Sequence, residues 1–407
     1  MLVWPMSFTP TRQPGSENVT PRLAEQLHDQ GRFDEALALY RVLLAKDPFN
    51  VMLHNDYNDL LYRLNRPEDY LRSFDRAPPN RGLYLAKASL LMHGQRYEEA
   101  SGVFTAILAR EPDNKHAGVG LATARSRLGR HDEAAALFET LVEKNRTDAN
   151  LCGNAASAAI ARGDAARALT LCEMGHAIAP ANQVCLALMG TALRLVGDER
   201  DEALSGYDEF VRVFDLDPPE GFSDMANFNA ELNAYLDRLH PHAREHVAQS
   251  LRGGSQTVLQ VFGAGHDLVD RLERRIREAA ARYIADMRAD ATHPFLSRRR
   301  RGFQYSGSWS SRLSAQGYHA NHFHPEGWIS SCYYVAVPEA VKDTQSRQGW
   351  IKFGEPDFAT PLPQPVRRTL QPVPGRLILF PSYMWHGTIP FHDSAARTTI
   401  AFDAVPN

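Results

Sequence analysis

Apolar residues recur at every third or fourth position through the first half of the chain, which predicts a series of amphipathic helices. A short motif recurs with them, in which a turn is followed by an acidic pair, a small residue and then an aromatic one. The small residues Ala100, Ala134 and Ala168 lie 34 positions apart, and prolines such as Pro112 and Pro180 end the second helix of a unit. A fixed period of this length predicts stacked units of two antiparallel helices.

These units resemble the tetratricopeptide repeat family over residues 18–215, after an N-terminal tail at 1–17 that we expect to be flexible. We count five or six units, one of them irregular, because the stretch 51–80 keeps the turn but lacks good later anchors. Arrays of this family form a superhelix whose concave face commonly holds peptides or proteins. The resemblance therefore implies a peptide or protein partner, and scaffolding or a homodimer is the alternative use of the array.

The pattern of residues changes in the second half of the chain. A proline-rich break at 217–221 lies in a junction at 216–240, and further helices are predicted at 225–239 and 268–287, with a loop at 251–257 between them. Short segments rich in β-branched and aromatic residues predict strands at 309–313, 329–337, 350–353, 376–380 and 397–402. We therefore expect an α+β multidomain chain: an all-α repeat solenoid, then a sandwich or jelly-roll barrel with flanking helices over 241–407.

Composition and charge narrow the classes of partner. The chain has 407 residues and a formal net charge of −3, so a charge-driven grip on nucleic acid is not expected. No apolar run reaches the roughly 18 residues that a membrane span needs, and we expect no secretory signal. Four scattered cysteines without a C-x-x-C pair argue against a cysteine zinc site and suit a reducing cytoplasm.

Histidines concentrate in one short segment, 318–325. Residues two apart share a face of a strand, so His322 and His324 are predicted to point the same way, and His319 the opposite way if the strand is regular. Two neighbouring imidazoles are costly as core filler, because each needs a hydrogen-bond partner. A metal site at His322 and His324 is therefore favoured.

A third histidine and an arginine extend this pattern. His386 follows an apolar strand, and Arg397 opens the last strand with Thr399 on the same face, a pair suited to bind a carboxylate. Together with the block 321–335, this order resembles a bacterial family of Fe(II)/2-oxoglutarate oxygenases over about 240–407. The fold of that family is the double-stranded β-helix, and its members often carry tetratricopeptide repeats in front.

The resemblance implies a role for each of several residues. His322 and His386 would bind iron, and Arg397 would bind the distal carboxylate of 2-oxoglutarate with Thr399 assisting. Tyr334, the second of a tyrosine pair, would donate a hydrogen bond to the same cosubstrate. Fe(II), 2-oxoglutarate and O₂ are therefore the expected cofactor and cosubstrates.

His324 departs from the pattern of the wider superfamily, which usually has Asp or Glu two residues after the first histidine. We favour His324 as the third metal ligand, because imidazole suits iron. Alternatively it contacts the substrate, or a carboxylate comes from Glu326 or Asp403, although we expect Asp403 to have a surface role. Arg312 and Lys352 are weaker candidates for contacts with 2-oxoglutarate or substrate.

The leading hypothesis from the sequence is a hydroxylase that acts on a peptide or protein delivered by the repeat array. Two alternatives remain open. One is an oxygenase for a small molecule whose repeats serve dimerisation. The other is a binding module without catalysis, which has a degenerate barrel and an adaptor array.

Overall fold

The computed structural model describes residues 20–29, 32–64, 66–240, 250–257 and 260–407. The tail predicted at 1–17 lies outside the described residues. The chain divides into two compact units, one within the residues up to Arg146 and one from Thr147 onward. Among the described residues, no helix combines the length and the apolar character that crossing a membrane requires.

The described part of the first unit is helical, and its helices pack in chain order, each mainly against its neighbours. The helix α4 has only five residues and begins after Leu71, which has a φ of 68°, so the irregular unit predicted at 51–80 is confirmed. The bounds are α1 Pro21–Asp29, α2 Phe33–Lys46, α3 Val51–Arg63, α4 Arg72–Arg76, α5 Arg81–His93, α6 Tyr97–Arg110, α7 Lys115–Arg127 and α8 His131–Lys144.

The small residues of the repeat allow neighbouring helices to cross closely. Ala100 and Ala134 have no exposed surface. At Gly120 in α7 an added Cβ would lie 2.2 Å from the ring of Phe104 in α6, so only glycine fits there. Asn114 begins α7 and its side chain accepts a hydrogen bond from a backbone amide of the first turn, which satisfies a donor that the helix leaves free.

The second unit begins with helices of the same two-helix pattern and continues into the sheets. Two flanking helices follow the repeats, close to their predicted positions. The helix bounds are α9 Ala149–Arg162, α10 Ala165–Ile178, α11 Gln183–Val196, α12 Arg200–Ser205, α13 Tyr207–Phe210, α14 Met225–Asp237 and α15 Asp267–Asp286.

The strands form two antiparallel sheets, as in a jelly roll. The larger has the order β1-β7-β4-β9-β3-β2 and the smaller the order β6-β5-β8. Most of the large sheet's contacts join strands that are distant in the chain, which is typical of this architecture. The strand bounds are β1 Arg212–Asp215, β2 Leu251–Gln256, β3 Phe303–His319, β4 Ile329–Ala336, β5 Ile351–Phe353, β6 Arg368–Leu370, β7 Arg376–Pro381, β8 His386–Thr388 and β9 Arg397–Pro406.

The prediction of a loop at 251–257 is wrong, because β2 pairs there with β3 through a bulge. The glycines at this bulge are the reason why the sequence pattern did not predict a strand. Gly253 has a φ of 68°, and a Cβ at Gly254 would lie 2.2 Å from the carbonyl oxygen of Arg312. The backbones approach so closely that side chains with high β propensity do not fit.

Within the second unit, the last repeat helices pack against the barrel. The indole Nε1 of Trp385 donates a hydrogen bond to Oγ1 of Thr191 in α11 at 3.2 Å. The hydroxyl of Tyr383 donates to the carbonyl of Leu204 in α12 at 2.7 Å. The segment that immediately precedes His386 is therefore fixed by repeat helices.

Candidate active site

A cavity of about 430 Å³ opens between the two sheets. Its lining combines residues of β3, β4 and β9 from the large sheet with residues of β5 and β8 from the small one. The chemically distinctive side chains on its wall are His319, His322, His324, His386, Arg397 and Thr399. Five of the six site residues predicted from the sequence therefore share one cavity wall.

The histidine cluster is built by backbone pairing between distant segments. The amide of His322 donates to the carbonyl of His386 at 2.8 Å, and the reciprocal hydrogen bond has the same length. The two ring centroids lie 4.2 Å apart. His324 joins them, and one ring nitrogen from each of the three lies within 4.8 Å of the others. This spacing suits three ligands of one metal ion.

Hydrogen bonds at Nδ1 define the tautomers of two of these rings. Nδ1 of His322 donates to the carbonyl of Ala320 at 2.8 Å, and Nδ1 of His386 donates to the carbonyl of Met384 at 2.9 Å. A carbonyl only accepts, so the proton lies on Nδ1 and Nε2 keeps a free lone pair. That is the form of imidazole that binds a metal ion.

Burial favours the same neutral form. It holds the pKa values of His322 and His386 well below their ordinary value, and the neighbouring imidazoles lower them further. Burial, with Arg397 as a second cause, also lowers the pKa of His319 to about 3. Metal ligation requires unprotonated imidazole, so His322 and His386 are held in the form that binds a metal ion.

The expectation of a surface role for Asp403 is wrong. The residue is 9% exposed, and its carboxylate accepts a hydrogen bond from Nδ1 of His324, whose distances to the two carboxylate oxygens are 2.6 and 2.7 Å. The hydroxyl of Ser330 donates to the same carboxylate at 2.6 Å. On another side, the ring of Trp309 stacks on His324 with centroids 5.5 Å apart. Glu326, the other carboxylate considered, is exposed and does not line the cavity.

Arg397 and Tyr334 form a second feature of the site. Arg397 is 2% exposed, and its guanidinium carbon lies 4.9 Å from the ring centroid of Tyr334. Within the described part of the chain, Nε of Arg397 and the hydroxyl of Tyr334 have no hydrogen-bond partner. Thr399 is also buried, two positions along the same strand face. Buried polar groups without partners are unfavourable, so this arrangement points to a ligand that supplies the acceptors.

Two weaker candidates lie elsewhere. Arg312 pairs with Asp237 at 3.2 Å and Lys352 pairs with Glu355, and neither of these two cations lines the cavity.

The expectation that His319 points away from the other histidines is wrong, because it lines the same cavity. Alternation of faces holds only within a strand, and β3 ends at His319. The local density of histidines was the sequence signal for this residue.

Comparison with protein families agrees with this geometry. Two tetratricopeptide repeat families match residues 22–83 and 91–152. The family described as "Putative 2OG-Fe(II) oxygenase" matches residues 307–403. The N-terminal helices are thus similar to tetratricopeptide repeats, and the C-terminal sheets are similar to the oxygenase family. The range matched by the oxygenase family contains the three histidines of the cluster as well as Arg397, Thr399 and Tyr334.

Two solved structures to which part of the chain is similar are tetratricopeptide repeat proteins. A tetratricopeptide repeat protein from Parabacteroides merdae is 22% identical and has a TM-score of 0.36, covering 45% of this chain and 73% of its own. A thermophilic repeat protein from Thermus thermophilus is 19% identical and has a TM-score of 0.32, covering 43% and 97% respectively. No curated protein matches the chain significantly.

Proposed function

We propose that this chain is an Fe(II)- and 2-oxoglutarate-dependent hydroxylase whose substrate is a peptide or protein recruited by the repeats. The observation that carries the proposal is the shared cavity. Three convergent imidazoles lie there beside Arg397, a buried cation without an anionic partner among the described residues. A metal site and a carboxylate site in one cavity are the two requirements of this oxygenase class.

The donor set fits Fe(II). His322, His324 and His386 offer imidazole nitrogen atoms, which suit divalent iron, and each Nδ1 is already hydrogen-bonded, which leaves Nε2 to bind the ion. Their burial between the sheets restricts access of water. The same donors also bind other divalent ions, so which ion occupies the site depends on the supply of metal as well as on the geometry of the donors.

The arginine end of the cavity fits the far carboxylate of 2-oxoglutarate. Arg397 supplies a buried positive charge and an unpaired Nε–H, and Thr399 and Tyr334 supply hydroxyl groups. Hydrogen bonds to a charged group contribute about 1.5–3 kcal/mol each. The ring of Tyr334 beneath the guanidinium restricts its movement, which keeps the donors oriented before the ligand arrives.

When bound, iron and 2-oxoglutarate would supply oxidation by O₂, in which 2-oxoglutarate, O₂ and a substrate C–H group give succinate, CO₂ and a C–OH group. The chain's own contribution is binding and orientation. The histidines fix the ion and Arg397 fixes one end of the cosubstrate, so the remaining wall of the cavity determines which substrate group enters. No described side chain of the cluster needs to transfer a proton for these roles.

The repeats support a macromolecular substrate. Tetratricopeptide arrays generally mediate contacts between proteins. The cavity lies between the two sheets of one domain and is lined by single side chains, so it would admit 2-oxoglutarate and the end of one side chain rather than a folded protein. A peptide substrate would then be held along its length by the repeats and would enter the cavity with a single residue.

The first test is binding without turnover. Under anaerobic conditions, the iron-loaded protein is expected to bind 2-oxoglutarate and to show the visible charge-transfer band of that complex. Arg397→Ala should abolish both while the iron remains bound. An iron-loaded wild-type protein that neither binds 2-oxoglutarate nor shows the band contradicts the proposal.

The second test concerns the substrate. Capture of cellular proteins on the full chain, followed by mass spectrometry after incubation with Fe(II), 2-oxoglutarate and O₂, is expected to find a peptide that gains 16 Da. Its synthetic copy should stimulate succinate formation. Stimulation by small metabolites but by no captured peptide would favour the small-molecule alternative.

A further inference from the structure

Asp403 occupies an unusual place behind the histidine cluster. Its two carboxylate oxygens lie 2.6 and 2.7 Å from Nδ1 of His324, on the opposite side of the ring from Nε2. The other two histidines of the cluster donate from Nδ1 to neutral backbone carbonyls. His324 alone among the three has a charged partner.

We propose that Asp403 is a positioning residue that replaces, from behind His324, the carboxylate that would otherwise bind the metal directly. It holds Nε2 of His324 toward the ion and places one negative charge next to the ligand set. This inference rests on the proposed function, because it concerns the same metal site.

The geometry holds the carboxylate in this place. The hydroxyl of Ser330 donates to Asp403 at 2.6 Å, and the backbone amide of His324 donates to the carbonyl of Ser382 at 2.8 Å. Both the ring and its partner are thus held by the large sheet and the segment next to it. Asp403 also shares the inward face of β9 with Arg397, so one strand carries both charged groups of the site.

The formal charge of the ligand set favours an aspartate at this position. Two imidazoles and one carboxylate leave a divalent ion with one net positive charge, whereas three neutral imidazoles leave it with two. A carboxylate that accepts the Nδ1 proton of a ligating histidine makes that ring a stronger donor and returns the local charge to the lower value. Without a cation nearby, the carboxylate of a residue that is only 9% exposed would be unfavourable.

The test uses Co(II) as the probe, because its absorption spectrum reports the ligand set and needs no turnover. Asp403→Asn keeps the size of the side chain and removes its charge. We expect Co(II) binding to weaken about 10- to 100-fold, the usual effect of losing such a partner, and the absorption bands to shift. Asp403→Glu keeps the charge on a longer arm and should recover part of the affinity.

The matched control is Asp201→Asn. Asp201 is also a buried carboxylate of the second unit, 6% exposed, and its partners include the hydroxyl of Ser205 at 2.7 Å. This variant should lose stability but keep the Co(II) affinity and spectrum of the wild type. If Asp201→Asn and Asp403→Asn weaken Co(II) binding equally, the effect is general destabilisation and the inference is wrong.

A second set of variants, made in the His324→Asp protein, separates the effect of the Asp403 charge from an effect on folding. In His324→Asp a carboxylate stands at the ligand position, so Asp403 becomes a like charge beside it. There we expect Asp403→Asn to strengthen Co(II) binding, the reverse of its effect in the wild type. The same loss in both backgrounds would overturn the inference.

The outcomes also distinguish this inference from the proposed function. A wild-type chain that binds neither Co(II) nor Fe(II) overturns both. A wild-type chain that binds Co(II), together with an Asp403→Asn variant of unchanged affinity and spectrum, overturns only the role of Asp403.

Discussion

Replacement of Trp385 by phenylalanine tests whether the last repeat helices support the metal site. The indole Nε1 lies 3.2 Å from Oγ1 of Thr191 and 3.3 Å from the carbonyl oxygen of Ala187, both in α11. Its ring meets the ring of Phe323 edge-on at 4.8 Å, with 90° between the planes. Phe323 lies between two histidines of the cluster, and Trp385 directly precedes the third.

The size of the effect follows from these contacts. Trp385→Phe removes one buried donor, but the hydroxyl of Thr191 still donates to the carbonyl of Ala187 at 3.2 Å, so that acceptor keeps a partner. A typical hydrogen bond contributes about 0.5–1.5 kcal/mol, and weakening of the aromatic contact adds a similar amount. We therefore expect a loss of about 1–3 kcal/mol in the free energy of unfolding, below the range of about 3–5 kcal/mol for tryptophan to alanine.

The assay pairs urea unfolding with Co(II) titration. Trp328→Phe is the matched control, because Trp328 is 1% exposed and its indole also donates to one backbone carbonyl, that of Phe295 at 2.9 Å. Both variants should lose similar stability, but only Trp385→Phe should also weaken Co(II) binding, by several-fold. Equal Co(II) affinity in the two variants would refute the idea that α11 positions the ligand at His386.

The remaining predictions concern the domain boundary, the cosubstrate and pH. Deletion of 1–146 should leave a folded chain that binds Co(II), whereas deletion of 1–215 also removes α9–α13 and the edge strand β1 and should give an aggregated product by gel filtration. Arg397→Lys keeps the charge but loses the planar fork, so calorimetry should show 2-oxoglutarate binding about 10- to 100-fold weaker. Tyr334→Phe should weaken 2-oxoglutarate binding yet raise the apo protein's free energy of unfolding by up to about 1–2 kcal/mol, because it removes a buried hydroxyl without a partner. Burial lowers the pKa of His240 to about 4, so its contribution to stability is complete above pH 6.5 and is lost between pH 6.5 and 4. Urea midpoints over that range should therefore fall less steeply in His240→Gln than in the wild type.

Much of the architecture was predictable from short-range patterns. The spacing of Ala100, Ala134 and Ala168 reports directly on close helix packing, because larger side chains do not fit at those crossings. Alternation within β9 placed Arg397 and Thr399 on one buried face, and the structure agrees. These patterns are local, so they can be recognised in the sequence without knowledge of tertiary contacts.

Features that depend on pairing between distant segments were harder to predict. The glycines of β2 suggested a loop, because the close approach of β3 that requires them is invisible in the sequence. The strand period failed at His319, where β3 ends, and Asp403 was expected at the surface because its partner His324 lies 79 residues away in the chain. For β2 and Asp403 the missing information was tertiary contact rather than local propensity.

The boundary at Thr147 divides the repeat helices between two compact units. Helices α9–α12 belong to the compact unit that contains the barrel, and α11 and α12 bind the segment before His386 through side-chain hydrogen bonds. Surface that is buried against the barrel is not available to a partner. Within the second unit, only the parts of α9–α12 that do not pack against the barrel can contact a partner. With a net charge of only −3, the chain has little long-range attraction for a charged ligand, and specificity would then come from contacts along the repeat helices.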